Sequence, residues 1–75
     1  MTTYVNSDPT RNLPEFVRSA IRDFASERRA LPTRIVCNPT VAPSTWLTIS
    51  RMMLRVEIVG DFGCPASELR LEAVR

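Results

Sequence analysis

Residues 12–32 read NLPEFVRSAIRDFASERRALP, and this segment determines what the rest of the chain packs against. Asn12 is a favourable N-cap residue, and Glu15 stands three positions later, as in a capping box. Pro14 falls in the first turn, where a missing N–H costs little. Apolar residues recur at helical spacing and form one stripe, namely Leu13, Phe16, Val17, Ala20, Ile21 and Phe24. The segment therefore predicts an amphipathic helix that buries this stripe and ends near Pro32.

The next two elements are predicted from residues 33–55. The apolar run Ile35-Val36-Cys37 predicts a short buried strand over residues 33–38. Residues 42–55 alternate like a strand around Trp46, but over their whole length they fit a helix better, with Ser44 as its N-cap. The apolar side of this helix would hold Ala42, Trp46, Leu47, Ile49, Met53 and Leu54. The polar side would hold Ser44, Thr45, Thr48, Arg51 and Arg55.

Two further strands are predicted from period-two alternation. In the first, apolar Leu54, Val56 and Ile58 alternate with charged Arg55 and Glu57. A loop follows over residues 60–65, which contain both glycines of the chain. In the last segment the alternating residues are Leu69, Arg70, Leu71, Glu72, Ala73 and Val74. We predict a strand there, because in a helix neighbouring members of the apolar set would point in nearly opposite directions.

The predicted order α-β-α-β-β gives an α+β fold, a small two-layer sandwich with a three-stranded sheet and two helices on one face. The first two strands would be parallel and joined by a right-handed crossover through the second helix. The third strand would pair antiparallel at an edge. Residues 1–12 form a polar N-terminal lead-in that either adds an edge strand or anchors the tail, and residues 13–75 form a single compact domain.

The composition argues against most enzyme classes. The 75 residues include no histidine and no lysine, so the usual general base and a lysine Schiff base are both missing. Cys37 and Cys64 are too few and too far apart for a zinc site, and no cofactor or metal is expected. The sequence Asp61-Phe62-Gly63 spells the kinase magnesium motif, but its partner motifs are missing and a glycine turn is expected.

The termini and the hydropathy predict a cytoplasmic protein. The N-terminal residues have neither the basic start nor the apolar stretch of a secretory signal. No apolar run approaches the roughly 18 residues that cross a bilayer, so no membrane association is expected. Both cysteines are then expected to be reduced.

The basic residues are ten arginines, and the net charge is +2. Arginine presents a planar fork to phosphate or carboxylate, although a GC-rich genome would produce the same bias. On the first helix Arg18, Arg22 and Arg29 fall within about 40° of one another. Asp23 and Glu27 lie on the opposite flank, so the helix has a basic and an acidic edge. The basic edge is either a binding surface or an ordinary solvated face.

Two further features complete the candidate binding surface. Arg51 and Arg55 form an i,i+4 pair if the second helix is correct. Trp46 either anchors a partner interface or fills the core. The candidate binding residues are therefore Arg18, Arg22, Arg29, Arg51, Arg55 and Trp46.

These features favour a small non-enzymatic protein-binding module. Phages and mobile elements encode proteins of this size as inhibitors of host complexes, including CRISPR complexes, and as small assembly components. The expected partner is another protein or a complex, which includes nucleoprotein. The alternative is a nucleic-acid-binding domain that uses the arginine-lined helix edge. If the protein were an enzyme, Cys64 with Asp61 would be the first place to look.

Overall fold

The computed structural model describes residues 1–8 and 10–73, in which two helices pack on one sheet. The elements are β1 (Thr2–Val5), α1 (Leu13–Arg28), β2 (Arg34–Cys37), α2 (Ala42–Arg51), β3 (Glu57–Gly60) and β4 (Glu68–Glu72). The α+β class is confirmed. The sheet, however, has four strands in the order β1-β4-β2-β3, where three were predicted. Val74, the last residue of the predicted alternation, lies outside the described residues.

The parallel pair at one side of the sheet agrees with the prediction. β2 and β3 pair in parallel from Arg34 opposite Glu57 to Cys37 opposite Gly60, and α2 connects them. β3 begins later than its alternating pattern indicated. The chain turns between α2 and β3 at Met53, which has a positive φ of 58°, and only then becomes extended.

The other half of the sheet corrects the predicted topology. β4 was expected at an edge, but it lies between β1 and β2 and pairs antiparallel with both. Leu71, for example, lies opposite Thr2 on one side and Ile35 on the other. Leu69 and Leu71 are fully buried, as expected for a central strand. The chain places β1 outside β4, so the N-terminal residues add the edge strand that was one of their two predicted roles.

The core lies between the sheet and α1. The Asn12 side chain accepts a hydrogen bond of 2.9 Å from the Glu15 backbone N–H, which confirms the predicted N-cap. Five residues of the predicted stripe are buried, namely Phe16, Val17, Ala20, Ile21 and Phe24. The helix ends at Arg28, because Arg29 adopts the left-handed conformation with a φ of 53°. The prediction that Arg29 lies on the first helix with Arg18 and Arg22 is therefore wrong.

The orientation of α2 differs from the prediction. Thr45 and Thr48 are buried, whereas Trp46 is 61% exposed and Leu47 is also exposed. The buried threonines satisfy their hydroxyls within the helix: Thr45 Oγ1 donates to the Val41 carbonyl at 2.9 Å. The interpretation of Trp46 as a core residue is wrong.

The start of α2 also differs from the prediction. The N-cap is Val41, not Ser44, and it makes no side-chain capping bond. A threonine hydroxyl bonded to the preceding turn of its own helix can enter an apolar core, which a polarity pattern does not anticipate.

Candidate binding surface

Five arginines stand apart from the ion pairs of the domain. On the sheet face away from the helices, Arg34 contacts Glu72 at 3.0 Å and Glu57 at 3.5 Å. Arg70 contacts Glu68 at 3.6 Å on the same face. Within the described residues, the exposed arginines that make neither such an ion pair nor a side-chain hydrogen bond are Arg18, Arg22, Arg29, Arg51 and Arg55, whereas the exposed Arg28 donates to the Thr2 Oγ1 at 2.9 Å. They are the five arginines that the sequence singles out as candidate binding residues.

The structure brings two of the five together. Arg18 and Arg22 lie one helical turn apart on the exposed side of α1 and line a shallow depression of about 360 Å³. Arg11, Glu15 and Ser19 complete its lining. We call Arg11, Arg18 and Arg22 the arginine patch. Three guanidinium groups and one carboxylate give the depression a positive charge, and its open shape suits a group on a partner's surface.

Contacts within the domain fix the position of the Arg11 side chain. Its Nε donates to the Asn6 Oδ1 at 3.1 Å, and the Asn6 Nδ2 donates to the Arg11 carbonyl at 3.1 Å. The guanidinium carbon also lies 5.1 Å from the centre of the Phe16 ring. This reciprocal pair holds Asn6 and Arg11 together beside the patch. Asn6 and Ser19 were not predicted as site residues. Nothing in the sequence shows that Asn6 contacts Arg11 or that Ser19 lines the same depression.

The other three candidate arginines do not join the patch. Arg29 follows the end of α1, about 10 Å along the helix axis from Arg22. Arg51 ends α2, and Arg55 lies beyond it in the connection to β3. The predicted i,i+4 pair of Arg51 and Arg55 on one helix is therefore wrong, because α2 is shorter than predicted.

Exposed apolar side chains form a second surface feature. Trp46 is 61% exposed on α2, Met53 is 90% exposed after it, and Phe62 is 82% exposed after β3. The prediction that Met53 lies on the buried side of a longer helix is therefore wrong, and Phe62 lies in the predicted loop. Trp46 remains a candidate interface residue, since large exposed aromatic groups are frequent interface anchors.

The acidic edge of α1 lies beside β1. The pKa of Tyr4 is raised, first by burial of its hydroxyl and then by the nearby carboxylates of Glu27 and Asp23. The Tyr4 hydroxyl has no hydrogen-bond partner among the described residues. The two edges of α1 thus face different surroundings, because the exposed Asp23 and Glu27 lie near Tyr4 of β1 and the arginine patch lies on the other flank.

The cysteines are poorly suited to nucleophilic chemistry. Cys37 and Cys64 are both free and fully buried. Burial raises the pKa of each thiol, which disfavours the reactive thiolate. The Cys64 thiol donates weakly to the Glu68 carbonyl at 3.6 Å. Asp61 is engaged in a turn, where its Oδ1 accepts from the Gly63 N–H at 2.8 Å, as expected for a glycine turn.

The described residues offer little for other kinds of site. They include no group of three or more cysteine, aspartate or glutamate side chains placed to hold a metal ion. None of the helices in this part of the chain has the length and apolarity needed to cross a membrane. Comparison with protein-family models, with curated proteins and with solved structures finds no significant match.

Proposed function

We propose that the protein is a non-enzymatic binding module whose arginine patch docks onto an acidic surface of another protein. The observation that carries the proposal is the exposure of the Arg18 and Arg22 side chains and their lack of an acidic partner within the described residues. Both are exposed, one turn apart, and without an ion pair among the described residues, while Arg11 is already fixed beside them. Guanidinium groups in this arrangement can bind carboxylates through paired hydrogen bonds.

Two features favour a protein partner over nucleic acid. The aromatic rings on α1, Phe16 and Phe24, are each 2% exposed and cannot stack on bases. The net charge of +2 is also modest for a domain that binds nucleic acid.

The size of the module suits interference with, or attachment to, a larger assembly. We propose inhibition of a host complex, of the type that phage-encoded proteins direct at CRISPR complexes, or service as a small assembly component. Both roles need a rigid surface and no catalytic group. The reciprocal bonds between Asn6 and Arg11 support such rigidity.

The test is affinity capture with charge-reversed variants. Tagged wild-type protein, Arg18→Glu/Arg22→Glu and a control variant Arg29→Glu/Arg51→Glu are exposed to nuclease-treated lysate of the source cells. The two variants change the net charge equally, but only the first alters the patch. We expect mass spectrometry to find a protein retained by the wild type and by the control and lost from the patch variant. Equal retention by both variants would contradict the proposal.

The nucleic-acid alternative is tested directly by fluorescence anisotropy. Labelled single-stranded and duplex DNA or RNA are titrated at about 50 mM and about 200 mM salt. Phosphate-led binding would weaken steeply with salt and would be lost with Arg18→Glu/Arg22→Glu. We expect no binding at either salt concentration.

A further inference from the structure

The outer edge of β3 is open to pairing. The N–H groups of Glu57 and Asp61 donate to Thr33 and Cys37 carbonyls, each at 2.9 Å, so these residues face β2. Because backbone groups alternate along a strand, Val56, Ile58 and Gly60 direct their N–H and C=O groups to the other side. β3 is the last strand of the sheet, and no other described segment donates a backbone hydrogen bond to this side.

We propose that this edge pairs antiparallel with β3 of a second copy of the chain, about a twofold axis at Ile58. The pairing would join two four-stranded sheets into one of eight strands. The arginine patch lies on α1 and takes no part, so the dimer would display two copies of the patch. This inference does not depend on the proposed function.

The charge pattern selects the register. Twofold symmetry places one residue opposite itself, and near the middle of β3 the choices are Glu57, Ile58 and Val59. An axis at Glu57 places this carboxylate opposite its own copy, and an axis at Val59 places Glu57 opposite Asp61. Like charges directly opposite each other are destabilising. An axis at Ile58 instead places Arg55 opposite Asp61, and symmetry produces this ion pair twice.

The hydrogen bonds favour the same register. With the axis at Ile58, this residue pairs with its own copy, and Val56 pairs with Gly60 at both ends. All three outward-facing residues of each strand then exchange backbone hydrogen bonds with the second copy. An axis at Gly60 would leave half of the strand unpaired, because Gly60 is its last residue.

Exposed apolar side chains flank this edge. In the proposed register Phe62 of one copy lies opposite Leu54 of the other, next to Met53. Phe62 is 82% exposed and Met53 is 90% exposed in the single chain. A typical interface buries about 800 Å² on each partner. That area is about a sixth of the 4856 Å² surface of the chain, and the apolar groups would contribute to it.

Trp46 lies on the same side of the domain. Thr45, the preceding residue, is completely buried, and its hydroxyl lies near the Cys37 thiol of β2. In the right-handed crossover that such connections adopt, one further helical step of about 100° turns the side chain from β2 towards β3. The exposed indole therefore overhangs the β3 edge, where it can contact α2 of the second copy.

The test is a charge swap at the predicted ion pair. Wild type, Arg55→Asp, Asp61→Arg and the double variant Arg55→Asp/Asp61→Arg are compared by sedimentation velocity over a range of concentrations. We expect the wild type to form a dimer of twice 8.5 kDa. Each single variant should raise the dimer dissociation constant by at least about tenfold, because it places like charges opposite each other twice. The double variant should restore the wild-type constant to within about threefold.

Circular dichroism and thermal unfolding of each variant show that the monomer remains folded. Arg51→Asp serves as a control that changes the charge of an exposed arginine outside the predicted ion pair, and it should leave the dimer intact. A wild type that stays monomeric at all concentrations would overturn the proposal and leave the edge open to a strand of another protein. A dimer unaffected by the single variants, or not restored by the double variant, would overturn it as well.

Discussion

Replacing Thr45 by valine tests how α2 enters the core. Thr45 is completely buried, and its hydroxyl donates to the Val41 carbonyl at 2.9 Å. The same carbonyl also accepts the Thr45 backbone N–H at 3.0 Å. Thr45→Val therefore removes a hydrogen bond without leaving its acceptor unpaired, and it keeps the shape of the side chain.

The expected change is close to zero because two effects oppose each other. A typical intramolecular hydrogen bond contributes about 1 kcal/mol to the free energy of unfolding. A buried methyl group contributes about 0.8 kcal/mol in the opposite direction. We expect Thr45→Val to change the free energy of unfolding by less than about 0.5 kcal/mol. Thr45→Ser keeps the hydroxyl but loses a buried methyl, and should lower stability by about 1 to 1.5 kcal/mol.

Urea unfolding followed by circular dichroism measures both variants at one protein concentration. If Thr45→Val lowered stability by more than about 2 kcal/mol, the hydroxyl would have a hydrogen-bond partner that no other group satisfies, which would contradict its bond to the Val41 carbonyl alone. A second pair of variants checks which side of α2 faces the core. Thr45→Arg should prevent folding, whereas Ser44→Arg on the exposed side should change stability by less than about 0.5 kcal/mol.

Three further predictions concern the cap, the core and the thiols. Asn12→Ala removes the acceptor of the Glu15 N–H and should lower the free energy of unfolding by about 1 kcal/mol in urea titrations. Phe24→Ala should lower it by about 3 to 5 kcal/mol, and a loss below about 1 kcal/mol would show that this ring is not in the core. Because burial raises the pKa of Cys37 and Cys64, their contribution to stability is complete below the unfolded thiol pKa of about 8.5. This contribution should be lost as the pH rises through the higher thiol pKa of the folded state. Cys37→Ala/Cys64→Ala should therefore reduce the fall in the free energy of unfolding at alkaline pH. If that variant left the pH dependence of the free energy of unfolding unchanged, the raised pKa of the two buried thiols would be contradicted.

The first helix could be predicted from the sequence because its signals are local. Asn12 bonds a backbone group three residues away, and its apolar stripe repeats within single turns. The strand character of β4 was equally local, since the alternation of Leu69 and Leu71 with charged residues determines it. Its central place in the sheet was not predictable in this way. That place depends on β1, which pairs across more than sixty residues of chain.

The orientation of α2 shows where polarity patterns fail. The pattern places threonines in solvent and tryptophan in the core, but the fold does the reverse with Thr45 and Trp46. The hydroxyl of a threonine is satisfied by its own helix, so its burial depends on which flank meets β2. The spacing of Arg18 and Arg22 could be predicted because it is set within one helix. The position of Arg11 beside them depends instead on its contact with Asn6.

The proposed function requires that the arginine patch binds a protein partner. The most direct test is the dissociation constant of the captured partner, measured by isothermal titration calorimetry. Relative to wild type, Arg18→Glu/Arg22→Glu should weaken binding by at least about 100-fold, or about 2.7 kcal/mol. Arg29→Glu/Arg51→Glu, with the same change in charge, should weaken it by less than about fivefold. Equal losses for the two variants would show that only the total charge matters and would contradict the account.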